Sequence, residues 1–261
     1  MEYWIWLMLI PNVGTVTRWK LIRHFKDAQN VYHASRAELQ ECGVSQRQLD
    51  MIDLSRTLDD AKRIYEQCQR LGISVLTIQD EEYPLNAQIG NDVPILLFYK
   101  GKLKKIGKTI GIVGARRCTQ EDKKFTRIFS QGHVRNGEII VSGMAKGVDS
   151  YAHTACIEAG GYTIAILANG LDICYPKEHQ VLMERICEKG LLLSEYPPGT
   201  RPARYNFPRR NLIISAWSER LAVIAPGKNS GALITADIAR RMGREVVIYD
   251  SGGADPHAQR T

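Results

Sequence analysis

Short apolar runs recur along the second part of the chain, and most are apolar at nearly every position rather than at alternate ones. Such runs are typical of strands covered on both faces of a parallel sheet. They fall at Thr109–Val113, Glu138–Val141, Tyr162–Ala168, Leu191–Ser194, Leu221–Ala225 and Glu245–Ile248. Helical stretches are predicted between them, over Glu121–Asn136, Val148–Ala159, Lys177–Lys189, Asn211–Trp217 and Ala232–Met242. This alternation predicts an α/β fold with a Rossmann-like, doubly wound and mainly parallel sheet.

The first 72 residues follow a helical pattern instead, and predict a small helical domain of the SAM-like or helix-hairpin-helix kind. Ser35, with Glu38 three residues on, has the spacing of a capping box. The expected helices are Trp4–Leu9, one capped by Thr15 that runs to Phe25, one from Ser35, one from Ser45 to Met51, and Leu54–Leu71. Helical hairpins can offer backbone N–H groups to phosphates, although a bundle used for contacts or spacing explains the same pattern.

Between these two parts, residues 73–105 are expected to form a bridging segment that packs on the sheet domain. Strands are predicted at Ser74–Ile78 and Val93–Tyr99, with a turn over Asp80–Pro84. The Rossmann-like domain is then expected over residues 106–261.

The composition excludes some classes of protein but does not identify the function. The chain has 261 residues, of which 44% are hydrophobic and 24% are charged, which is an ordinary globular balance. Its longest apolar runs are far shorter than a membrane span, and the start lacks the features of a signal peptide, so a cytoplasmic protein is expected. The six cysteines have no CxxC spacing and are expected to be reduced thiols; no metal or cofactor is predicted.

The positive charge is concentrated in the second part of the chain. Residues 106–261 carry 21 Lys and Arg against 15 Asp and Glu, whereas residues 1–105 carry 14 against 13. This excess attracts an anionic partner to the sheet domain.

Glycine-rich turns follow several predicted strands, where parallel sheets bind their ligands. These turns are Gly114–Thr119, Ser142–Asp149, Ala168–Asp172 and Pro226–Gly231. Glycine allows a backbone to approach a phosphate closely, and the next helix N-terminus supplies free N–H donors. Neither GxGxxG in the dinucleotide-binding context nor GxxxxGK[ST] occurs, which disfavours a nicotinamide enzyme and a P-loop ATPase.

The stretch Tyr196–Ser218 contains no acidic residue. Its basic and aromatic side chains are interleaved: Arg201, Arg204, Tyr205, Phe207, Arg209 and Arg210. Arginine pairs with phosphate through its planar fork, and aromatic rings stack on unpaired bases. The pattern favours single-stranded nucleic acid over a small metabolite, although Phe207 alone is equally well explained as a core residue.

These motifs resemble the DNA-processing protein A (DprA, also called Smf) family. The matching segments are Gly114-x-Arg116 with Thr119, Ser142-Gly143-x-Ala145-x-Gly147-Val148-Asp149-x-x-Ala152-His153, Gly170-x-Asp172-x-x-Tyr175-Pro176, Phe207-Pro208-Arg209-Arg210-Asn211, and Ser230-Gly231-Ala232-Leu233-Ile234-Thr235-Ala236. Their order and spacing agree with the family over roughly residues 110–245. A helical N-terminal domain also fits this resemblance.

The resemblance implies a recombination mediator rather than a metabolic enzyme. The family binds and protects single-stranded DNA that enters during natural transformation, and helps to load the RecA recombinase onto it. Its Rossmann-like domain carries the DNA pocket and commonly forms a homodimer. The expected DNA-binding residues are Arg116, Arg117, Thr119, Ser142, Gly143, Met144, Lys146, Gly147, Asn169, Arg209, Arg210, Asn211, Lys228, Ser230 and Gly231.

The sequence departs from the family pattern at two places. Met144 stands where several members have phenylalanine, which puts base stacking there in question. After Tyr249 the chain reads Asp250-Ser251-Gly252-Gly253-Ala254-Asp255 and ends at Thr261, without the family's usual turn or the winged-helix-like domain that some members carry. These differences affect the segments in which the dimer and recombinase contacts partly lie.

Two other classes of function remain open at this stage. A nucleotide-binding or nucleotide-hydrolysing Rossmann-like enzyme or sensor would use Asp149, His153 or Asp172, and Cys118 would be its candidate reactive thiol. Asp149 is better explained as a cap or loop anchor. The third possibility is an interaction-only paralogue that has kept the fold and lost its affinity for DNA.

Overall fold

The strands assemble into one sheet, seen in a computed structural model that describes residues 1–88, 92–228 and 230–250. They are β1 (Ser74–Thr77), β2 (Leu96–Gly101), β3 (Thr109–Gly114), β4 (Ile139–Ser142), β5 (Thr163–Leu167), β6 (Leu191–Ser194), β7 (Arg220–Ile224) and β8 (Glu245–Tyr249). Their order across the sheet is β1-β2-β6-β5-β4-β3-β7-β8. The pairs from β6 to β8 are parallel, whereas β1 and β2 pair antiparallel at one edge. The predicted mainly parallel α/β sheet is confirmed.

Helices precede the sheet and connect its parallel strands. The first set is α1 (Glu2–Leu9), α2 (Thr15–Phe25), α3 (Ala28–His33), α4 (Arg36–Glu41), α5 (Gln46–Leu54) and α6 (Asp59–Leu71). The second set is α7 (Gln120–Arg135), α8 (Val148–Glu158), α9 (Gln180–Lys189), α10 (Asn206–Ala216) and α11 (Gly231–Arg241). Short 3-10 turns lie at Leu85–Gln88 and Lys177–His179. Among the helices in the described part of the chain, none has the length and apolar character needed to cross a bilayer.

The N-terminal helices match the predicted starts better than the predicted lengths. Ser35 forms the expected capping box with Glu38, and Ser45 forms a second one with Gln48. The cap of α2 is Gly14 rather than Thr15, whose hydroxyl accepts a hydrogen bond from Arg209 instead. The long helix predicted over residues 54–71 is divided between α5 and α6, and α3 was not predicted.

The bridging segment contributes strands to the sheet itself. β2 lies between β1 and β6, with Phe98 opposite Ser194. The core continues from the sheet into the helical part, since the indole N–H of Trp19 donates to the Val93 carbonyl at 2.8 Å. The helices and the sheet therefore share one apolar core.

Helix α10 begins at Asn206, five residues earlier than the sequence predicts. Pro208 occupies the third position of this helix, where the missing N–H breaks no intrahelical hydrogen bond. Phe207, Arg209 and Arg210 of the acid-free stretch consequently lie on the first turns of α10, whereas Arg201, Arg204 and Tyr205 precede it.

His153 of α8 is a fully buried titratable group. Its Nδ1 lies 2.7 Å from the Thr163 hydroxyl, and its Nε2 has no hydrogen-bond partner among the described residues. Burial, together with the positive charges of His179 and Arg210, lowers the pKa of His153 to about 3. Between about pH 3 and pH 6.5, the unfolded chain therefore binds a proton at this histidine and the folded chain does not.

We expect this histidine to make the protein sensitive to acid. Its contribution to stability is fully present above about pH 6.5 and falls by about 1.4 kcal/mol for each pH unit toward pH 4. The variant His153→Gln removes the titration, so its free energy of unfolding should decline less steeply with acidification than that of the parent chain. Urea unfolding at a series of pH values measures both slopes, and equal slopes would contradict the assignment.

Candidate nucleic-acid interface

The direction of the chain crossing reverses at β3, which pairs with β4 on one side and β7 on the other. Ligands of doubly wound sheets bind beyond the carboxyl ends of the strands at this kind of point. Gly114 ends β3 here, and a Cβ atom at this position would lie 2.1 Å from the Ile224 carbonyl oxygen. Glycine is therefore required so that β3 and β7 can remain neighbours where the crevice opens.

A cavity of about 720 Å³ lies at this reversal point. Its walls come from the loop after β3, the first turns of α10 and the start of α11, which bring Arg116, Arg117, Phe207, Arg210 and Ser230 to one site. A second cavity, of about 70 Å³, shares Arg116, Phe207 and Arg210 with the first. The two cavities therefore form one candidate site.

The loop after β4 is held in place by Asp149. One oxygen of its buried carboxylate accepts hydrogen bonds from the backbone N–H groups of Gly143 at 3.2 Å and Ala145 at 3.3 Å. Burial raises the pKa of Asp149, while the nearby Arg210 charge and these hydrogen bonds act in the opposite direction. As predicted, this carboxylate anchors the loop.

Arg210 forms the floor of the site. Its guanidinium donates to the carbonyl oxygens of Gly143 and Ile166 and to the Asn211 side chain, and only 6% of the residue is exposed. Burial lowers the pKa of Arg210. Arginine nevertheless keeps its proton in proteins, so a positive charge lies permanently beneath the cavity.

Phe207 stands above this charge and is partly exposed rather than buried in the core. Its ring centroid lies 5.8 Å from the Arg210 guanidinium carbon, 6.0 Å from that of Arg116 and 5.8 Å from the Tyr175 ring. The site thus combines aromatic faces with guanidinium groups.

Arg209, which was expected to contact phosphate, is engaged elsewhere. Its guanidinium donates to both carboxylate oxygens of Glu195, at 2.7 and 2.9 Å, and to the Thr15 hydroxyl at 2.9 Å. It does not line either cavity. This side chain links α10 to the N-terminal helices, because successive helical positions point in different directions, and its contact with phosphate stays a prediction.

The expectation that the Met144 side chain contacts DNA does not fit the structure. Its side chain is fully buried in the apolar core, and its backbone has the left-handed φ of 56°. The Met144 carbonyl oxygen lies 2.9 Å from His179 Nδ1, within hydrogen-bond distance. No base can stack on this side chain in the folded protein.

The other predicted residues divide into two groups. Those that line the cavities, together with Arg210, are Arg116, Arg117, Gly143, Lys146, Asn169, Asn211, Ser230 and Gly231. Those that do not line them, besides Arg209 and Met144, are Thr119, Ser142, Gly147 and Lys228. Asn229 and the divergent C-terminal stretch 251–261 lie outside the described residues.

The residues outside the cavities have identifiable structural roles. Thr119 caps α7 in a capping box with Asp122, and the Ser142 hydroxyl donates to the Ile112 carbonyl. Gly147 has a φ of 81°, and a Cβ atom there would lie 2.1 Å from the Ala115 carbonyl oxygen. These residues shape the loops that carry the site.

Three aromatic or basic lining residues, Phe207, Tyr175 and Arg204, were not included among the predicted DNA-binding residues. A signal for each is present in the sequence. Arg204 and Phe207 belong to the acid-free stretch, and Tyr175 belongs to the Gly170–Pro176 motif. Neither pattern by itself places the side chain at the carboxyl end of β3.

Of the groups considered for catalysis, Asp149 lines the larger cavity, whereas His153, Asp172 and Cys118 line neither cavity. His153 is fully buried, and Asp172 accepts a hydrogen bond from the Gly199 N–H at 2.9 Å in another loop. Burial raises the pKa of the Cys118 thiol, which disfavours the reactive thiolate. The described residues contain no cluster of His, Cys, Asp and Glu that could hold a metal ion.

Comparison with known proteins identifies the family of this chain. The model of the family described as DNA recombination-mediator protein A matches residues 74–260. The chain belongs to this family. Protein Smf of Synechocystis is 38% identical over 251 residues, which cover 94% of this chain and 63% of that protein, so the chain spans less than two thirds of that relative. DNA processing protein DprA of Bacillus subtilis is 36% identical over 218 residues, 80% of this chain and 73% of that protein.

Solved structures of family members share the fold. The crystal structure of DprA from Streptococcus pneumoniae has a TM-score of 0.84 and 30% identity, with 98% of this chain and 90% of that chain covered. DNA processing protein A from Helicobacter pylori, described for its single-stranded DNA binding mode, has a TM-score of 0.62 and 30% identity over 69% of this chain and 84% of that one. The Rossmann-like architecture is thus shared with the family.

The close packing of Gly143 against Arg210 generates a stability prediction. A Cβ atom at Gly143 would lie 2.0 Å from Arg210 Nη1, so Gly143→Ala should displace the guanidinium and lower the free energy of unfolding by about 2 kcal/mol. Gly231→Ala is the matched control, because no atom lies within 4 Å of its added Cβ. Urea unfolding compares the two, and equal stability of both variants would contradict the tight contact.

Proposed function

We propose that this protein binds single-stranded DNA in the cavity at the carboxyl ends of β3 and β7. The observation that carries the proposal is the convergence of Arg116, Arg117 and Arg204 with the partly exposed Phe207 around one opening. Guanidinium groups pair with phosphates, and an aromatic ring supplies a stacking face for an unpaired base.

The electrostatics of the cavity favour an anion. Among the described residues that line it, Asp149 is the one carboxylate, and it is buried and hydrogen-bonded to its own loop. Arg116, Arg117 and Arg204 are exposed, and no described carboxylate lies within ion-pair distance of them. Their charges are therefore free to meet phosphates.

The aromatic component favours a single strand over a duplex. The bases of a duplex are already stacked on one another, whereas an unpaired base exposes its face to Phe207 or Tyr175. The H. pylori family member, described for single-stranded DNA binding, supports the same substrate class for this chain.

Family membership supports the remaining parts of the proposal. These are a role in natural transformation, loading of RecA onto the bound strand, and pairing of two copies through the Rossmann-like domain. Two measurements test these parts separately from DNA binding. Light scattering of the purified protein should give twice the mass of the chain, and the protein should accelerate RecA assembly on single-stranded DNA coated with a single-strand binding protein. A monomer, or no acceleration, would remove the corresponding part.

Removal of the exposed arginines should weaken binding to all sequences alike. We expect Arg116→Ala and Arg117→Ala each to lower the affinity for oligothymidine and to reduce the slope of log affinity against log salt by about 0.7. Fluorescence anisotropy at several salt concentrations measures both quantities. Arg135→Ala, at the far end of α7 and outside the cavities, is the control and should leave them unchanged. If neither cavity variant differs from the control, the cavity is not the DNA site.

Replacement of Phe207 should have a different signature. Phe207→Leu removes the stacking face and should cost about 1–3 kcal/mol of binding free energy, while the salt slope stays the same because no phosphate contact is lost. Phe207→Tyr should retain most of the affinity. Anisotropy titrations of the parent chain and the two variants measure these affinities. Full affinity in the leucine variant would show that this ring does not stack on a base.

A further inference from the structure

A second groove, of about 440 Å³, lies between α7 and α8. Its walls are formed by Gln120, Lys123, Lys124, Arg127, Tyr151, Thr154, Ala155 and Glu158. The sequence motifs do not include its basic residues, and neither cavity of the candidate site contains them.

The groove begins beside the cavity. Helix α7 starts three residues after Arg117, and α8 starts directly before Asp149, both of which line the cavity. Both helices therefore begin at the carboxyl edge of the sheet and lead away from it side by side. With a rise of 1.5 Å per residue, Arg127 lies about 10 Å along α7 from its first residue.

The basic residues share one face of α7. Lys123 and Arg127 are four positions apart and Lys124 and Arg127 three, which places all three side chains along the same stripe of the helix. Their groups line the groove rather than the opposite surface. The three cations form a row along the groove, and α7 begins three residues after Arg117.

Little in the groove neutralises this row. Glu158 is the one carboxylate among its lining residues, and it pairs with Arg127 at 3.1 Å. No described carboxylate lies within ion-pair distance of Lys123 or Lys124. The Lys123 ammonium lies 5.7 Å from the centroid of the Tyr151 ring, so an aromatic surface accompanies the charges.

We propose that a DNA strand leaving the cavity continues along the groove between α7 and α8, with its phosphates at Lys123, Lys124 and Arg127. The proposal rests on the proposed function of the cavity and extends the binding surface beyond it. A polyanion that runs through both sites would meet the arginines of the cavity and then the cations of α7. An acidic peptide would need no continuity with the cavity.

The length of the strand separates the two sites experimentally. A thymidine dinucleotide spans about 7 Å and fits within the cavity, whereas an oligothymidine of about 20 nucleotides also reaches the groove. In the double variant Lys124→Ala/Arg127→Ala the affinity for the long strand should fall about tenfold, and its salt slope should decrease by about 1.4 because two phosphate contacts are lost. The affinity for the short strand should stay the same.

Two further variants complete the design. Arg135→Ala removes a cation from the last turn of the same helix, outside the groove, and should change neither affinity. Glu158→Gln removes the carboxylate that competes for Arg127, and should strengthen binding of the long strand alone. Circular dichroism of each variant confirms that the helices are intact.

The outcomes distinguish failure of the groove from failure of the cavity. Unchanged affinity for the long strand in the double variant, or an equal loss for both strands, would overturn the groove as a separate DNA path. If Arg116→Ala leaves the short strand's affinity unchanged, the cavity assignment fails instead, whatever the double variant does.

Discussion

A buried guanidinium with no ion pair organises the candidate site. Arg210 donates to the Gly143 carbonyl in the loop after β4 and to the Ile166 carbonyl of β5, so a single side chain joins α10 to two strands of the sheet. Burial of a charge is costly unless hydrogen bonds replace its hydration. Neutral oxygens accept its hydrogen bonds, and the buried Asp149 carboxylate stabilises the charge from beyond ion-pair distance.

The neighbouring arginine shows how position on a helix decides role. Arg209 and Arg210 are adjacent in the sequence, yet one meets a carboxylate and the hydroxyl of Thr15, and the other meets backbone carbonyls beneath the cavity. Arg209 is neutralised by Glu195, and its contribution is mechanical: it fixes α10 against the N-terminal helices. Since Phe207 and Arg210 lie on the same helix, this contact also supports the wall of the site.

Strand positions were predictable from the sequence because a strand buried on both faces is apolar at nearly every position, and runs such as Leu191–Ser194, with three leucines before the serine, meet that condition. The roles of Met144, Arg209 and Arg210 were not, because a motif records residue types and not the direction of side chains. The start of α10 was also missed: Pro208 lies in its first turn, where proline is tolerated. Tertiary contacts decide each of these cases, and no local pattern contains them.

The glycine-rich turns illustrate how a familiar pattern can have a different cause. Glycine after a strand suggests a backbone that approaches a phosphate, but the Cβ positions of Gly114, Gly143 and Gly147 are blocked by atoms of this protein, namely Ile224, Arg210 and Ala115. These glycines permit the close packing that brings the loops together, and the anion-binding capacity lies in the arginine side chains around them. A cradle of backbone N–H groups suits one compact pyrophosphate, whereas extended side chains around an open cavity suit a chain of phosphates. In the proposed function, the sheet edge that holds a nucleotide in other Rossmann-like proteins receives a DNA strand instead.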